Sequence, residues 1–299
     1  MKVRFLIAFI VVFSFASCRT AKKAQFAAIL QSASEQQKKE AEKIDQLDKK
    51  TDAKIVEGNI DDSIAYFIDQ RLVKYQRRVD SINNAINNLK AKLDDPKSFR
   101  KEFKLIQAQI YLIDSFTKNA QPREYVFYMI DDGLDKTKRT LFEMAAFFGP
   151  GGYIIPEEKY TLAKQYFSPV IDSLMKFSNT YSGINRIATI VLNGYADATG
   201  IAEGSDLYNL LLGRLNKTSA TKEELNAALS ELRAENLRVF LNRLVAERST
   251  EFINYQTLTV ENIRRGMGEK LPDPSIKDYS VNDERRRIVL CYWSVLPDN

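Results

Sequence analysis

The chain has 299 residues, with 44 Lys and Arg against 39 Asp and Glu, no His and two Cys. The absence of His excludes a His-based triad, a His general base and the common zinc sites, and two Cys cannot build a disulfide framework or a cysteine-clustered metal centre. A formal net charge of +5 over this length is too dilute to point to nucleic acid, and no metal or other cofactor is implied.

The N-terminus reads as an address. Lys2 and Arg4 precede an apolar run over 5–15 that is broken only by Ser14. A run of this length falls well short of the ~20 residues that span a bilayer. A basic flank, a short apolar stretch and small residues at the cut mark residues 1–17 as a secretory signal peptide. The tetrad Phe15-Ala16-Ser17-Cys18 resembles the lipobox of bacterial lipoproteins, with Phe15 where that family usually has Leu. The resemblance implies acylation, palmitate included, of Cys18 as the first mature residue. Arg19, rather than Asp, after the Cys implies an anchor in the cell outer membrane, facing the periplasm. Multiple acyl chains would make that anchor stable.

Residues 18–58 are rich in Ala, Gln, Glu and Lys, with few apolar positions between Gln31 and Lys50. This is helix-friendly composition without a clear buried face, and it predicts a lipid-anchored tether, partly helical, that ends at Gly58-Asn59. From Ile64 the apolar positions Ile68, Leu72, Tyr75, Val79, Ile82, Ile86, Leu89 and Leu93 follow at steps of three and four. A second seam runs through Phe99, Phe103, Ile106, Ile110, Ile113 and Phe116, and Pro122 is expected to end it. Between them Asp95-Pro96 is a stop-and-restart signal, with Asp as cap and Pro at the first helical position. Residues 59–122 therefore read as a helical hairpin or a coiled coil, and either seam could be completed by this chain, by a second copy or by another protein. Asn83, Asn84, Asn87 and Asn88 fall between seam positions, on the solvated side.

After a connector over 123–139, strands and helices alternate. The run over 140–148 reads as a strand, followed by a loop at Gly149-Pro150-Gly151-Gly152. Residues 156–179 have helical spacing, with Pro169 predicting a kink or an internal restart. A continuous β-branched run over 187–192 reads as a buried strand. Thr221-Lys222-Glu223-Glu224 is a capping box opening a helix that carries Leu225, Leu229, Leu232, Val239, Leu241 and Leu244. Residues 287–295 read as a last strand. The fold class is α+β: long N-terminal helices, then a sandwich in the order β-α-β-α-β-β.

Four pieces then stand in order. They are Gly194-Tyr195-Ala196-Asp197-Ala198-Thr199-Gly200 after a strand, and Asn226, Leu229, Ser230, Arg233 and Ala234 on the capped helix. Gly266-Met267-Gly268-Glu269 with Pro272 is the third, and Asp283-Glu284-Arg285-Arg286-Arg287 before the last strand is the fourth. Together they resemble the OmpA-like peptidoglycan-associated domain, over residues 140–299. This sequence has Ala196 where the family has Thr, Arg285 where it has Asn, and a longer segment over 201–225 holding a short apolar helix candidate at 207–215.

The resemblance implies binding of the diaminopimelate of the peptidoglycan stem peptide, whose free end carries an ammonium and a carboxylate on one carbon. An Arg fork meets a carboxylate bidentately and an Asp accepts from an ammonium. By resemblance these are Arg233 and Asp197, with Asn226, Arg286 and Arg287 as further contacts. Asn226, Ser230 and Arg233 share one helical face, and Leu229 beside them can wall the aliphatic stem of the ligand. Read alone, Asp197 is a turn residue, Arg233 a solvated helix charge, Glu269 a structural residue and Cys291 a core thiol.

The expected function is non-enzymatic. A membrane-anchored lipoprotein would grip the wall through many weak contacts. An alternative is a cell-envelope assembly or secretion-machine component, whose helices over 59–122 dock a protein partner or self-associate while the wall-binding domain positions it. A wall-cleaving enzyme using paired carboxylates is a further possibility that no clustered motif supports.

Overall fold

In a computed structural model the backbone is described for residues 2–137, 140–142, 151–273 and 275–298, and side chains for these except 2–19 and 140–142. Cys18 lies outside the described side chains, as does most of the strand expected over 140–148. The chain is a mixed α+β fold, long helices first, then helices mixed with strands. It divides into two compact units, one comprising 1–50 with 69–128 and the other 51–68 with 129–299. Among the described residues no helix is long and apolar enough to cross a membrane.

The first unit is helical. α1 (Lys2–Val56) continues without a break through the segment expected to be a tether. It has a buried face after all: Phe26, Leu30, Ala33, Glu40, Ile44 and Leu47 are all covered. Phe26, Leu30 and Ala33 join Ile86, Leu89 and Leu93 of α2 (Asp62–Asp94) and Ile106, Ile110 and Ile113 of α4 (Phe103–Lys118) in one core. The later part of the first predicted seam, from Ile82 to Leu93, and most of the second therefore share a partner within the chain, which is α1.

Between them Asp95 caps the short α3 (Pro96–Lys101), its carboxylate accepting from the N–H groups of Lys97 and Ser98, both at 3.1 Å. Pro122 does not end the second seam. α4 stops at Lys118, and Pro122 sits in the first turn of α5 (Ala120–Lys136), where a missing N–H costs no helical bond. Most of the expected connector is thus helix.

α1 and α5 are joined by a buried ion pair. Arg123 donates from Nε and Nη2 to Glu40 Oε1 at 2.9 and 2.7 Å. Its remaining bonds go to the carbonyls of Asn119 and Phe116, and its guanidinium lies 3.9 Å from the centroid of the Phe116 ring.

The second unit is built on a four-stranded sheet in the order β1-β4-β2-β3, from β1 (Thr140–Phe142), β2 (Arg186–Gly194), β3 (Leu258–Gly266) and β4 (Val289–Pro297). β2 runs parallel to β3 and antiparallel to β4, which is antiparallel to β1. α6 (Tyr160–Thr180), α7 (Asp206–Leu215) and α8 (Lys222–Glu247) complete it. α6 runs unbroken through Pro169, so the expected restart is absent. Val239, on the outer side of α8, is exposed rather than part of the core.

One face of the sheet presents Ala188, Ile190 and Leu192 of β2 and Val289, Cys291, Trp293 and Val295 of β4 to α6 and α8. The alternate residues Thr189, Val191, Asn193, Leu290, Tyr292, Ser294 and Leu296 lie on the other face and are also buried. Residues ahead of and within the start of α2 rest there. Asp61 accepts from Asn193 Nδ2 at 2.8 Å and pairs with Arg265 at 3.3 Å, and Arg265 also donates to Ser63. The sheet unit accordingly begins well before residue 140.

Candidate binding site around Asp197 and Arg233

The site stands at the ends of β2 and β3, where α8 begins. Thr221 and Glu224 form the reciprocal capping box, so α8 starts at a defined residue. Two glycines let it press on the sheet. Gly194 and Gly266 are register partners, and a Cβ on either would meet a backbone oxygen of α8, Ser230 at 2.0 Å or Ala227 at 2.4 Å. Ser230 Oγ then donates to the Ala227 carbonyl at 2.7 Å and accepts from the Gly268 N–H at 2.9 Å. This close approach carries Asn226 and Arg233 to the loop that holds Asp197.

That loop is fixed by its backbone. Tyr195 N–H donates to Ile288, Ala196 N–H to Gly268 and Ala198 N–H to Val281. All four sequence pieces therefore meet in one place: the 194–200 loop, the start of α8, the 266–269 turn and the chain entering β4.

Arg233 is 1% exposed. It donates from Nε to the Gly152 carbonyl at 2.9 Å and from Nη1 to the Tyr195 carbonyl at 3.0 Å. Nη2 has no hydrogen-bond partner among the described residues. Burial pulls its pKa down to about 10, with Asp197 opposing that fall and Arg287 adding to it.

Asp197 is 9% exposed. Its Oδ1 accepts from the Thr199 N–H at 3.1 Å, an Asx turn, and its Oδ2 lies 2.9 Å from Arg287 Nε. The latter is an ion pair whose angle falls short of a directed hydrogen bond. Arg287 also reaches the Asn282 carbonyl through Nη2 at 3.3 Å.

The other expected residues divide. Asn226 is buried and donates to the Thr199 carbonyl at 3.1 Å and to Glu269 Oε1 at 2.8 Å, so it ties the loop to the turn. Glu269 also pairs with Lys222 at 3.4 Å. Arg286 and Arg287 lie in and just after a 3-10 turn (Glu284–Arg286) ahead of β4, so both can face inward. Arg286 donates to the Glu269 carbonyl, while its buried Nε has no partner among the described residues.

Arg285, in the place of the family's Asn, turns away to Asp283 and Asp278, and its bonds hold Asp283 well below the usual carboxylate range. Leu229 is not spare for a ligand stem. It packs with Leu211 of α7 and with Leu225 and Leu232, so the inserted 201–225 segment is seated on the same α8 stripe.

Sequence reading missed Gly152, which supplies the carbonyl that orients Arg233, and Lys222, which closes the ring of polar contacts round Glu269. The glycine pair Gly151-Gly152 was a signal for close backbone approach, but nothing local named its partner. Cys291 is fully buried, and burial pushes its thiol up to about 12, which leaves it inert at neutral pH. No cluster of His, Cys, Asp or Glu suited to a metal occurs among the described residues.

No protein-family model matches this chain. No curated protein is significantly similar to it in sequence.

Proposed function

We propose that the chain is a non-enzymatic lipoprotein of the bacterial cell outer membrane, acylated at Cys18 and facing the periplasm, whose second unit is an OmpA-like sandwich domain that binds peptidoglycan. The observation that carries this reading is the meeting of four separate sequence pieces around a buried Arg233 beside Asp197. A buried guanidinium with one unspent amino group is a receptor for a carboxylate, and Asp197 beside it holds Arg287 and the 194–200 loop in place. The free end of diaminopimelate in the stem peptide supplies that carboxylate. Repeated weak contacts with a polymeric wall would then hold the membrane to it.

The experiment is sedimentation of the full mature chain with purified peptidoglycan, beside Asp197→Ala and Arg233→Ala. Residues 51–68 belong to the sheet unit, so a fragment starting near 123 would remove part of its cover. The wild type is expected to sediment with the wall and both variants to stay in solution while keeping their circular dichroism. A folded wild type that does not sediment would overturn the proposal.

A second reading, an assembly or secretion-machine component docking a protein through its helices, draws on one feature. Leu105 and Leu112 lie two turns apart on α4 and remain exposed although the seam beside them is filled. Co-purification of a partner that is lost on Leu112→Glu, with wall binding unchanged, would favour it.

A further inference from the structure

Asp197 already has a resident cation. Its Oδ2 is 2.9 Å from Arg287 Nε, and the two side chains are each 12% exposed. Its Oδ1 accepts from the Thr199 N–H at 3.1 Å. An incoming ammonium would meet a carboxylate whose charge is matched by Arg287 and whose oxygens are both in use.

The arginines are in the opposite position. Arg233 and Arg287 bring two positive charges to this place and Asp197 brings one negative charge, so one cation is in excess. Arg233 spends Nε and Nη1 on the carbonyls of Gly152 and Tyr195, which fix the plane of the fork. Nη2 has no partner among the described residues. A buried charge without a matching anion is costly, and an incoming anion relieves that cost. Burial of Arg233, which draws its pKa down to about 10, is the same penalty seen from the proton's side.

We infer that this site selects its ligand by a carboxylate, through Arg233, and that Arg287 holds Asp197 back from ammonium recognition, making Arg287 a specificity-determining residue. The ligand class is an aliphatic amino-acid end with a free carboxylate, whether or not its amino group is free. The inference rests on the wall-binding reading above and adds to it which half of the zwitterion is read.

The test is competition against wall sedimentation of the full mature chain, using three soluble probes of similar length. Diaminopimelate carries carboxylates and ammoniums, pimelate carboxylates only, and cadaverine ammoniums only. Pimelate is expected to compete within about tenfold of diaminopimelate, whereas cadaverine fails at a hundredfold excess. In Arg287→Gln, Asp197 is released, and the preference for pimelate over cadaverine is expected to fall by at least tenfold.

Cadaverine competing as well as pimelate with the wild type would overturn the inference and leave wall binding intact. An Arg287→Gln chain that sediments with unchanged preference would also overturn it. If Arg287→Gln fails to fold, the wild-type ranking and the diamide of diaminopimelate, which has no free carboxylate, decide the matter: loss of competition on amidation of both ends supports the carboxylate, and its retention refutes it. A wild-type chain that does not bind the wall at all would instead remove the reading on which the inference rests.

Discussion

Replacing Arg123 by Met while leaving Glu40 in place would strand a carboxylate in the helical unit. Glu40 is 2% exposed and accepts two Arg123 bonds, at 2.9 and 2.7 Å, and a longer one from Gln36 Nε2 at 3.3 Å. Removing one partner of a buried pair costs about 3–5 kcal/mol, because the survivor keeps its desolvation penalty without the compensating charge. The carbonyls of Asn119 and Phe116 would lose their donors as well. With a urea dependence of ~1–3 kcal/mol per molar, the loss is a midpoint shift of roughly 2 M.

Far-UV circular dichroism follows the helices, and fluorescence of the single Trp, Trp293, follows the sheet unit separately. The double replacement Glu40→Leu with Arg123→Met should recover most of the loss, to within ~1 kcal/mol of the wild type, since both charges leave together. A single Arg123→Met variant that shifts the helical transition by less than ~0.5 M would show that Glu40 is hydrated, and the reasoning would fail. So would a double variant no more stable than the single.

Three further outcomes are expected. Gly194→Ala should destabilise the sheet unit by ~3 kcal/mol, the upper end for overpacking, because its Cβ would lie 2.0 Å from the Ser230 carbonyl oxygen; an unchanged Trp293 transition would count against the close packing of α8 on β2. Thr221→Ala removes the acceptor of the Glu224 N–H and should cost about 1 kcal/mol by the same fluorescence, with a null result pointing to a frayed helix start. Cys291, raised from 9.0 to about 12, is protonated in both states below its unfolded pKa, so it favours folding fully there. Between pH 9 and 12 the unfolded thiol ionises first, the native chain holds the extra proton, and stability falls by up to ~4 kcal/mol. Cys291→Ala should flatten that slope, and the native thiol should resist aromatic disulfide reagents at pH 8 yet react in urea.

Local chemistry was legible in the sequence wherever one segment is enough to express it. Asp95 before Pro96 caps a helix because both groups act within one turn. Thr221 and Glu224 close their box over three residues, and the seams of α2 and α4 repeat at the helical period. The strands over 187–192 and 287–295 needed only their apolar, β-branched character.

What tertiary structure alone decided involves groups far apart in the chain. α1 looked like a tether because Glu40 occupies the middle of its buried stripe, and a carboxylate is buried only when its partner is known; that partner, Arg123, lies 83 residues on. Pro122 marks a boundary in either reading, and only the preceding stop of α4 places it inside a new helix. Residues 62–68 resemble the rest of their helix in sequence, yet they belong to the sheet unit, where Asp61 just ahead of them meets Asn193 and Arg265. At the site, the residue types Asp197, Arg233 and Arg287 could be picked out from their motifs. That Arg287 already sits on Asp197, while Arg233 keeps one amino group unspent, follows from the pressing of α8 against two glycines and the docking of the turn before β4. Charge balance at a buried site is a property of which groups meet, and no single stretch of chain contains it.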